Sequence, residues 1–149
     1  MKCLILAAGY ATRLGELTKN FPKSLLKIGE STILGRMLDD IDGIAEIDEH
    51  IIITNHKFAH IFEDWRNERL SVPSGFPARK PITIVDDGTE TNDTRLGAVC
   101  DLLFAMDKLS LNDDLLVVAA DNLLFFSFQE FVDFAKQKGT SCIMRAIAI

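Results

Sequence analysis

Residues 2–9, KCLILAAG, form an almost continuous apolar run that is closed by Gly9. A run of this length without alternating polar residues is typical of a strand that is buried on both faces. Strands of this kind favour an α/β fold, in which helices cover the sheet. We therefore predict a first strand over residues 2–8, followed by a loop that starts at the glycine.

Apolar runs and amphipathic segments alternate along the rest of the chain. Further strands are predicted over 50–54, 81–85, 115–120 and 140–149, and helices over 32–42, 57–68, 94–106 and 128–138. The helix over 94–106 is inferred from Leu96, Val99, Leu103 and Met106 at helical spacing. This order predicts an α/β fold with a three-layer, doubly wound, mostly parallel sheet of Rossmann-like type. Its ligand site is expected beyond the carboxyl ends of the strands.

Composition narrows the class of protein. Of the 149 residues, 48% are apolar and 26% are charged, and this composition excludes intrinsic disorder. The net charge of −6 argues against a nucleic acid as partner. The three cysteines are far apart and no apolar run is long enough for a membrane span or a signal peptide. We expect a cytoplasmic protein with neither a nucleic acid nor a membrane as partner.

The loop after the first strand combines small residues with two cations, Arg13 and Lys23. Small residues let the backbone approach a phosphate, and the cations can bind its oxygens. The dinucleotide fingerprint GxGxxG is absent because Ala11 and Leu14 replace its glycines, and the P-loop pattern is absent as well. From these residues alone, a plain tight turn with two solvated cations remains an equal alternative.

Four segments together carry a family resemblance: LAAGYATRL at 6–14, PKSLL at 22–26, ILGRML at 33–38 and DLLVVAADN at 114–122. They resemble the sugar-1-phosphate nucleotidyltransferase family. The resemblance implies a fold of the nucleotide-diphospho-sugar transferase type. It also implies transfer of a nucleoside monophosphate from an NTP to a phosphorylated small-molecule acceptor, with release of pyrophosphate and a requirement for Mg²⁺.

The resemblance also assigns roles to residues. Arg13 and Lys23 are the implied catalytic residues: the first holds the departing pyrophosphate, and the second holds the α-phosphate and the incoming phosphate. Asp121 is the implied Mg²⁺ ligand, although a strand-end or helix-capping carboxylate is the simpler interpretation of that residue taken alone. The implied nucleotide-binding residues are Leu6, Ala7, Ala8, Gly9, Ala11, Thr12, Arg13, Lys23, Asn92 and Gly97.

Two departures from the family pattern leave the substrates open. Asn92 stands five residues before Gly97, where the family typically has a glutamine for the base, so the base is undetermined. Ala11 replaces a glycine, as in some enzymes that act on choline phosphate, so the acceptor is either a sugar 1-phosphate or an alcohol phosphate. The alternative function is a non-catalytic, regulatory nucleotide-binding module of the same fold, and a dinucleotide-dependent oxidoreductase ranks last.

Two further expectations concern organisation. Family members are commonly longer, so residues 1–149 are expected to form a single nucleotidyltransferase domain without the family's C-terminal acceptor-binding portion. The apolar residues near position 149 suggest self-association, which keeps a homo-oligomer open. His56 and His60 lack a catalytic glutamate between them, and we do not predict a zinc site there.

Overall fold

The computed structural model describes residues 1–10, 15, 18–73, 75, 77–122 and 124–144. Within these ranges, a short 3-10 helix at Lys23–Leu25 accompanies six strands and four α-helices. The strands are β1 (Lys2–Leu6), β2 (Lys27–Ile28), β3 (Ser31–Thr32), β4 (Glu49–Thr54), β5 (Ile82–Asp86) and β6 (Leu115–Ala119). The helices are α1 (Ile33–Asp42), α2 (His56–Ser71), α3 (Ala98–Lys108) and α4 (Phe128–Lys138).

Four strands form one parallel sheet in the order β5-β4-β1-β6, while β2 and β3 form a separate antiparallel pair. Leu4 of β1 lies opposite Ile51 of β4 on one side and Val117 of β6 on the other. The chain runs outward from β1 through β4 to β5 and then crosses to the other side of β1. The direction of winding therefore reverses between β1 and β6, and the predicted doubly wound, mostly parallel α/β fold is confirmed.

Helices cover both faces of the sheet because alternate residues of each strand point to opposite faces. Cys3 and Ile5 belong to the core that contains buried residues of α1, α2 and α4. Leu4 belongs to a second core, on the α3 side. All three residues are fully buried, as the continuous apolar run at 2–8 predicts.

Capping residues explain where three of the helices begin. The Thr32 Oγ1 accepts a hydrogen bond from the Gly35 amide at 2.9 Å, and Asn55 and Ser127 cap α2 and α4 in the same way. Helix α4 ends at Gly139, which has a φ of +61°. Its observed bounds are those predicted from the sequence, and Gly139 takes the C-terminal position expected of it.

The prediction for α3 was wrong in its start and in its buried face. The helix begins at Ala98 rather than at residue 94, because Gly97 adopts a φ of +87° that no helix contains. Val99 and Leu103 are 71% and 57% exposed, while Asp101 and Ala105 face the sheet. The apolar stripe that suggested the helix is thus not the stripe that packs.

Two of the predicted strands also need correction. β1 ends at Leu6, two residues before the predicted end. A strand was predicted over 140–149, but residues 140–144 form no strand. Residues 145–149 lie outside the described residues. In the described ranges, no helix is both long and apolar enough to span a membrane.

A buried polar cluster joins α1, β4 and α2 at the amino-terminal edge of the sheet. Asp42, at the end of α1, accepts hydrogen bonds from His50 Nε2 at 2.7 Å, Arg69 at 3.0 Å and the Lys80 amide at 3.2 Å. Burial alone would raise the pKa of Asp42, but these hydrogen bonds and charges outweigh it and lower that pKa. Asp42 is therefore a stabilising carboxylate that depends on its partners.

Replacing Asp42 with alanine is expected to lower the free energy of unfolding by about 1–3 kcal/mol, because His50 loses its buried acceptor and Arg69 keeps only the exposed Asp39 as an ionic partner. Urea unfolding at neutral pH measures the loss. Asp40→Ala, an exposed neighbour on the same helix, serves as the control and should change stability by less than about 0.5 kcal/mol. Equal effects of the two substitutions would contradict the role given to Asp42.

Candidate functional site

The carboxyl ends of β1 and β6 meet at the point where the winding of the sheet reverses. In open α/β sheets this is where ligands bind. β1 leads into Ala7, Ala8 and Gly9, and β6 leads into Ala120 and Asp121. Of the residues that the sequence singled out in these two loops, Ala7, Ala8, Gly9 and Asp121 are described, and they follow neighbouring strand ends.

The end of β1 offers backbone groups to a ligand. The Leu6 carbonyl and the Ala7 amide bond to the neighbouring strands, whereas no hydrogen bond among the described residues uses the amides of Ala8 or Gly9. A Cβ added at Gly9 would meet no atom within 4 Å. Among the described residues, nothing fills this position, and a ligand could approach the backbone closely there.

Lys23 and Asp121 come together although they are 98 residues apart. The Lys23 Nζ lies 3.1 Å from the Asp121 Oδ2, and the two side chains are 36% and 50% exposed. Pro22 precedes the 3-10 helix, and the buried Ser24 and Leu25 anchor it below the lysine. An exposed ion pair of this kind is worth about 0–1 kcal/mol, so a ligand can displace it at little cost.

Some predicted residues are not brought into contact with this pair. Asn92 accepts a hydrogen bond from Arg95 at 2.9 Å, and Gly97 precedes α3. In the described part of the chain, neither residue bonds to Lys23 or Asp121. The predicted binding residues Ala11, Thr12 and Arg13 lie outside the described residues.

A buried network, which the sequence analysis missed, ties the loops of this edge together. Asn55 is fully buried: its Nδ2 donates to the Ala8 carbonyl at 3.1 Å and its Oδ1 accepts from the Phe58 amide at 3.0 Å. The Tyr10 hydroxyl and the Thr89 hydroxyl lie 3.2 Å apart. A polar residue directly after an apolar strand, as Asn55 is after β4, was the available signal.

His56 is the only histidine of this edge among the described residues, and it is engaged with a carboxylate. Its Nδ1 lies 2.6 Å from the Asp86 Oδ2. This hydrogen bond raises the pKa of His56, and it lowers that of Asp86 although burial opposes the shift. No group of three or more His, Cys, Asp or Glu side chains in the described ranges could hold a metal.

Asn55→Asp should separate the two roles of Asn55. The carboxylate keeps the helix cap but cannot donate to the Ala8 carbonyl, so amide hydrogen exchange should accelerate at Ala7, whose amide bonds to the Ile53 carbonyl, while α2 remains protected. Ser127→Asp, the same change at the cap of α4, is the control and should leave exchange at Ala7 unchanged. Unchanged exchange in the Asn55 variant would show that the network does not hold the loop.

Comparison with known proteins gives a consistent result. The family model described as "Nucleotidyl transferase" matches residues 2–149. The chain is 26% identical over 160 residues to the "Probable glucose-1-phosphate cytidylyltransferase" of Bacillus subtilis, covering 99% of the chain and 60% of that protein. It is 28% identical over 142 residues to a mannose-1-phosphate guanyltransferase of Debaryomyces hansenii, covering 93% and 35%.

Among solved structures, a UDP-glucose pyrophosphorylase in complex with UDP-glucose superposes with a TM-score of 0.70 at 19% identity. The superposition covers 93% of this chain and 54% of that one, and it shows that the fold is shared. This chain thus spans roughly a third to three fifths of the length of these relatives. With a family model that extends over nearly every residue, the chain belongs to the nucleotidyl transferase family.

Proposed function

We propose that this chain transfers a nucleoside monophosphate from an NTP to a phosphorylated small molecule and releases pyrophosphate. The observation that carries the proposal is the convergence of Lys23 and Asp121 at the edge shared by β1 and β6. A sugar 1-phosphate is the favoured acceptor, because the relatives named above act on glucose 1-phosphate and mannose 1-phosphate. An alcohol phosphate is the second acceptor class to test.

The reaction joins two anions, so cations and positioning must supply most of the catalysis. An oxygen of the acceptor phosphate attacks the α-phosphorus in line, and the bond from that phosphorus to the bridging oxygen of the pyrophosphate breaks. Lys23 would bind the α-phosphate and the incoming phosphate, where negative charge accumulates. Arg13, known here from the sequence only, would bind the departing pyrophosphate.

The amides of Ala8 and Gly9 supply further donors for phosphate oxygens. The backbone that carries these amides is already held in place, because Asn55 donates a hydrogen bond to the Ala8 carbonyl. Backbone amides that point into a turn form a favourable binding site for anions. Asn92 and Gly97 would contact the base, and Asn92 could do so while its Oδ1 accepts from Arg95, because its Nδ2 carries two donors.

Asp121 fits a magnesium ion better than a transition metal. A single carboxylate oxygen is a hard ligand, and Mg²⁺ usually takes one or two protein carboxylates while water and phosphate oxygens complete the octahedron. When bound, Mg²⁺ supplies positive charge that neutralises the phosphates. Asp121 would then leave Lys23, and Lys23 would be free to bind phosphate.

The direct assay is pyrophosphate release from each of the four NTPs and dTTP with a panel of sugar 1-phosphates and choline phosphate. The proposal predicts release with at least one pair of substrates and none when the acceptor is omitted. NTP binding without pyrophosphate from any pair would instead indicate a binding module. The same panel identifies the base and the acceptor together.

Replacing Lys23 with alanine should weaken NTP binding by about 1.5–3 kcal/mol, the usual value of hydrogen bonds to charged groups. We expect a similar loss for Arg13→Ala and a larger loss in any turnover. Titration calorimetry measures the binding. Lys136→Ala, on α4, breaks a comparably exposed ion pair with Glu46 and is the matched control, with no change expected. Unchanged affinity for both Lys23→Ala and Arg13→Ala would refute the phosphate assignment.

Asp121→Asn should have two opposite effects on nucleotide binding. The gain in affinity that Mg²⁺ provides should disappear, because the amide lacks the charge that this cation prefers. Binding of metal-free NTP should become tighter, because Lys23 loses its partner and is free for phosphate. Calorimetry with Mg²⁺ and with EDTA measures both effects. A wild-type response to Mg²⁺ in this variant would make Asp121 a structural residue.

A further inference from the structure

Two buried carboxyl groups lie at the two ends of the loop that joins β5 to α3. Asp87, directly after β5, is 8% exposed, and Asp101, in the first turn of α3, is 5% exposed. The Asp87 amide donates to the Thr54 carbonyl at 2.9 Å, and the Asp101 amide donates to the Gly97 carbonyl at 2.8 Å. Asp87 is thus the first residue of the 87–97 loop, and the Asp101 amide bonds to the last residue of that loop.

Each carboxyl group has one buried oxygen without a donor. The Asp87 Oδ1 accepts from the Thr89 amide at 2.6 Å. The Asp87 Oδ2 and the Asp101 Oδ1 are buried and have no hydrogen-bond partner among the described residues. Asp101 is nevertheless within hydrogen-bonding reach of Asp87. A proton on Asp101 that is donated to Asp87 would satisfy both oxygens, whereas two carboxylates there would leave both unpaired.

Among the described residues, the cations close to this pair are engaged with other groups. The strands behind α3 contribute apolar residues to its core, namely Leu4, Ile51, Ile53 and Val85. The His56 ring bonds to the Asp86 carboxylate, the Lys108 ammonium donates to the Asp86 carbonyl at 3.0 Å, and Arg95 of the same loop donates to Asn92. Tyr10, whose hydroxyl faces Thr89, and Glu90 are further titratable groups near Asp87 in the described part of the chain.

Burial and the negative charge of Asp87 raise the pKa of Asp101 to about 6. The direction of this shift agrees with the geometry, because a buried carboxyl group beside a second carboxyl group is harder to ionise.

We propose that Asp87 and Asp101 share one proton, and that this proton positions the 87–97 loop for the nucleotide. The inference rests on the proposed function, which assigns Asn92 and Gly97 of this loop to the base. Loss of the proton to solvent leaves two buried carboxylates that repel each other, and the ends of the loop separate. Nucleotide affinity therefore falls as the pH rises.

Asp101→Asn tests this directly, because an amide donates to Asp87 at every pH and does not titrate. The expected result is that wild-type NTP affinity, relative to this variant, falls about 5-fold or more between pH 5.5 and pH 8.0. The titration of the NTP itself is common to both proteins and cancels in the ratio. Asp107→Asn, an exposed carboxylate on the same helix, is the control and should follow the wild type.

A second readout uses no nucleotide. Asp101 has a higher pKa in the folded protein than the usual 3.8, so its protonation stabilises the fold fully when the pH is below 3.8. This stabilisation is lost as the pH rises through about 6. Urea unfolding should show a steeper fall between pH 4 and pH 7 for the wild type than for Asp101→Asn. Asp87→Asn, whose amide donates to Asp101, should also flatten this profile. This second variant keeps the test valid if Asp101→Asn fails to fold.

The outcomes separate this inference from the proposed function. A constant affinity ratio across the pH range, with normal NTP binding, overturns the positioning role and leaves the proposed function intact. Parallel unfolding profiles for the wild type and both variants overturn the shared proton. Failure of every protein to bind any NTP contradicts the proposed function and this inference together.

Discussion

The placement of β1 between two parallel partners is the constraint on which the rest of the structure depends. Its residues are buried on both faces, and its backbone bonds to β4 on one side and β6 on the other. Parallel pairing brings the carboxyl ends of all three strands to one edge of the sheet. Because the winding reverses at β1, the connections from β1 and to β6 lead to opposite sides, which leaves a crevice between these strands at that edge. The polar residues after these strands consequently converge there.

The edge combines two kinds of interaction of different strength. Asn55 is fully buried, so the loss of one of its hydrogen bonds would leave a buried polar group unpaired. Such a group costs about 1–3 kcal/mol of stability. The Lys23–Asp121 pair is exposed and contributes at most about 1 kcal/mol. Buried hydrogen bonds thus fix the backbone of the loop, while the charged groups above it remain free to exchange partners. Such an arrangement suits a site that must bind and release polyanions.

The fold could be read from the sequence because its signals are local. Unbroken apolarity predicted β1, and Gly139 predicted the end of α4. The convergence of Lys23 with Asp121 followed from a family resemblance and not from local pattern. The buried side of α3 could not be predicted, because Val99 and Leu103 look like core residues while the observed inner face carries Asp101. A buried carboxyl group has no sequence signal, since it depends on Asp87 from a different element.

The central claim is that an NTP binds at the gap between β1 and β6. The most direct test is a crystal structure of this chain with a non-hydrolysable NTP and Mg²⁺. The account predicts phosphate oxygens within hydrogen-bonding distance of the Lys23 Nζ and of the Ala8 and Gly9 amides, with Asp121 turned from Lys23 to the metal. Phosphates bound elsewhere, with the Lys23–Asp121 ion pair still intact, would contradict it.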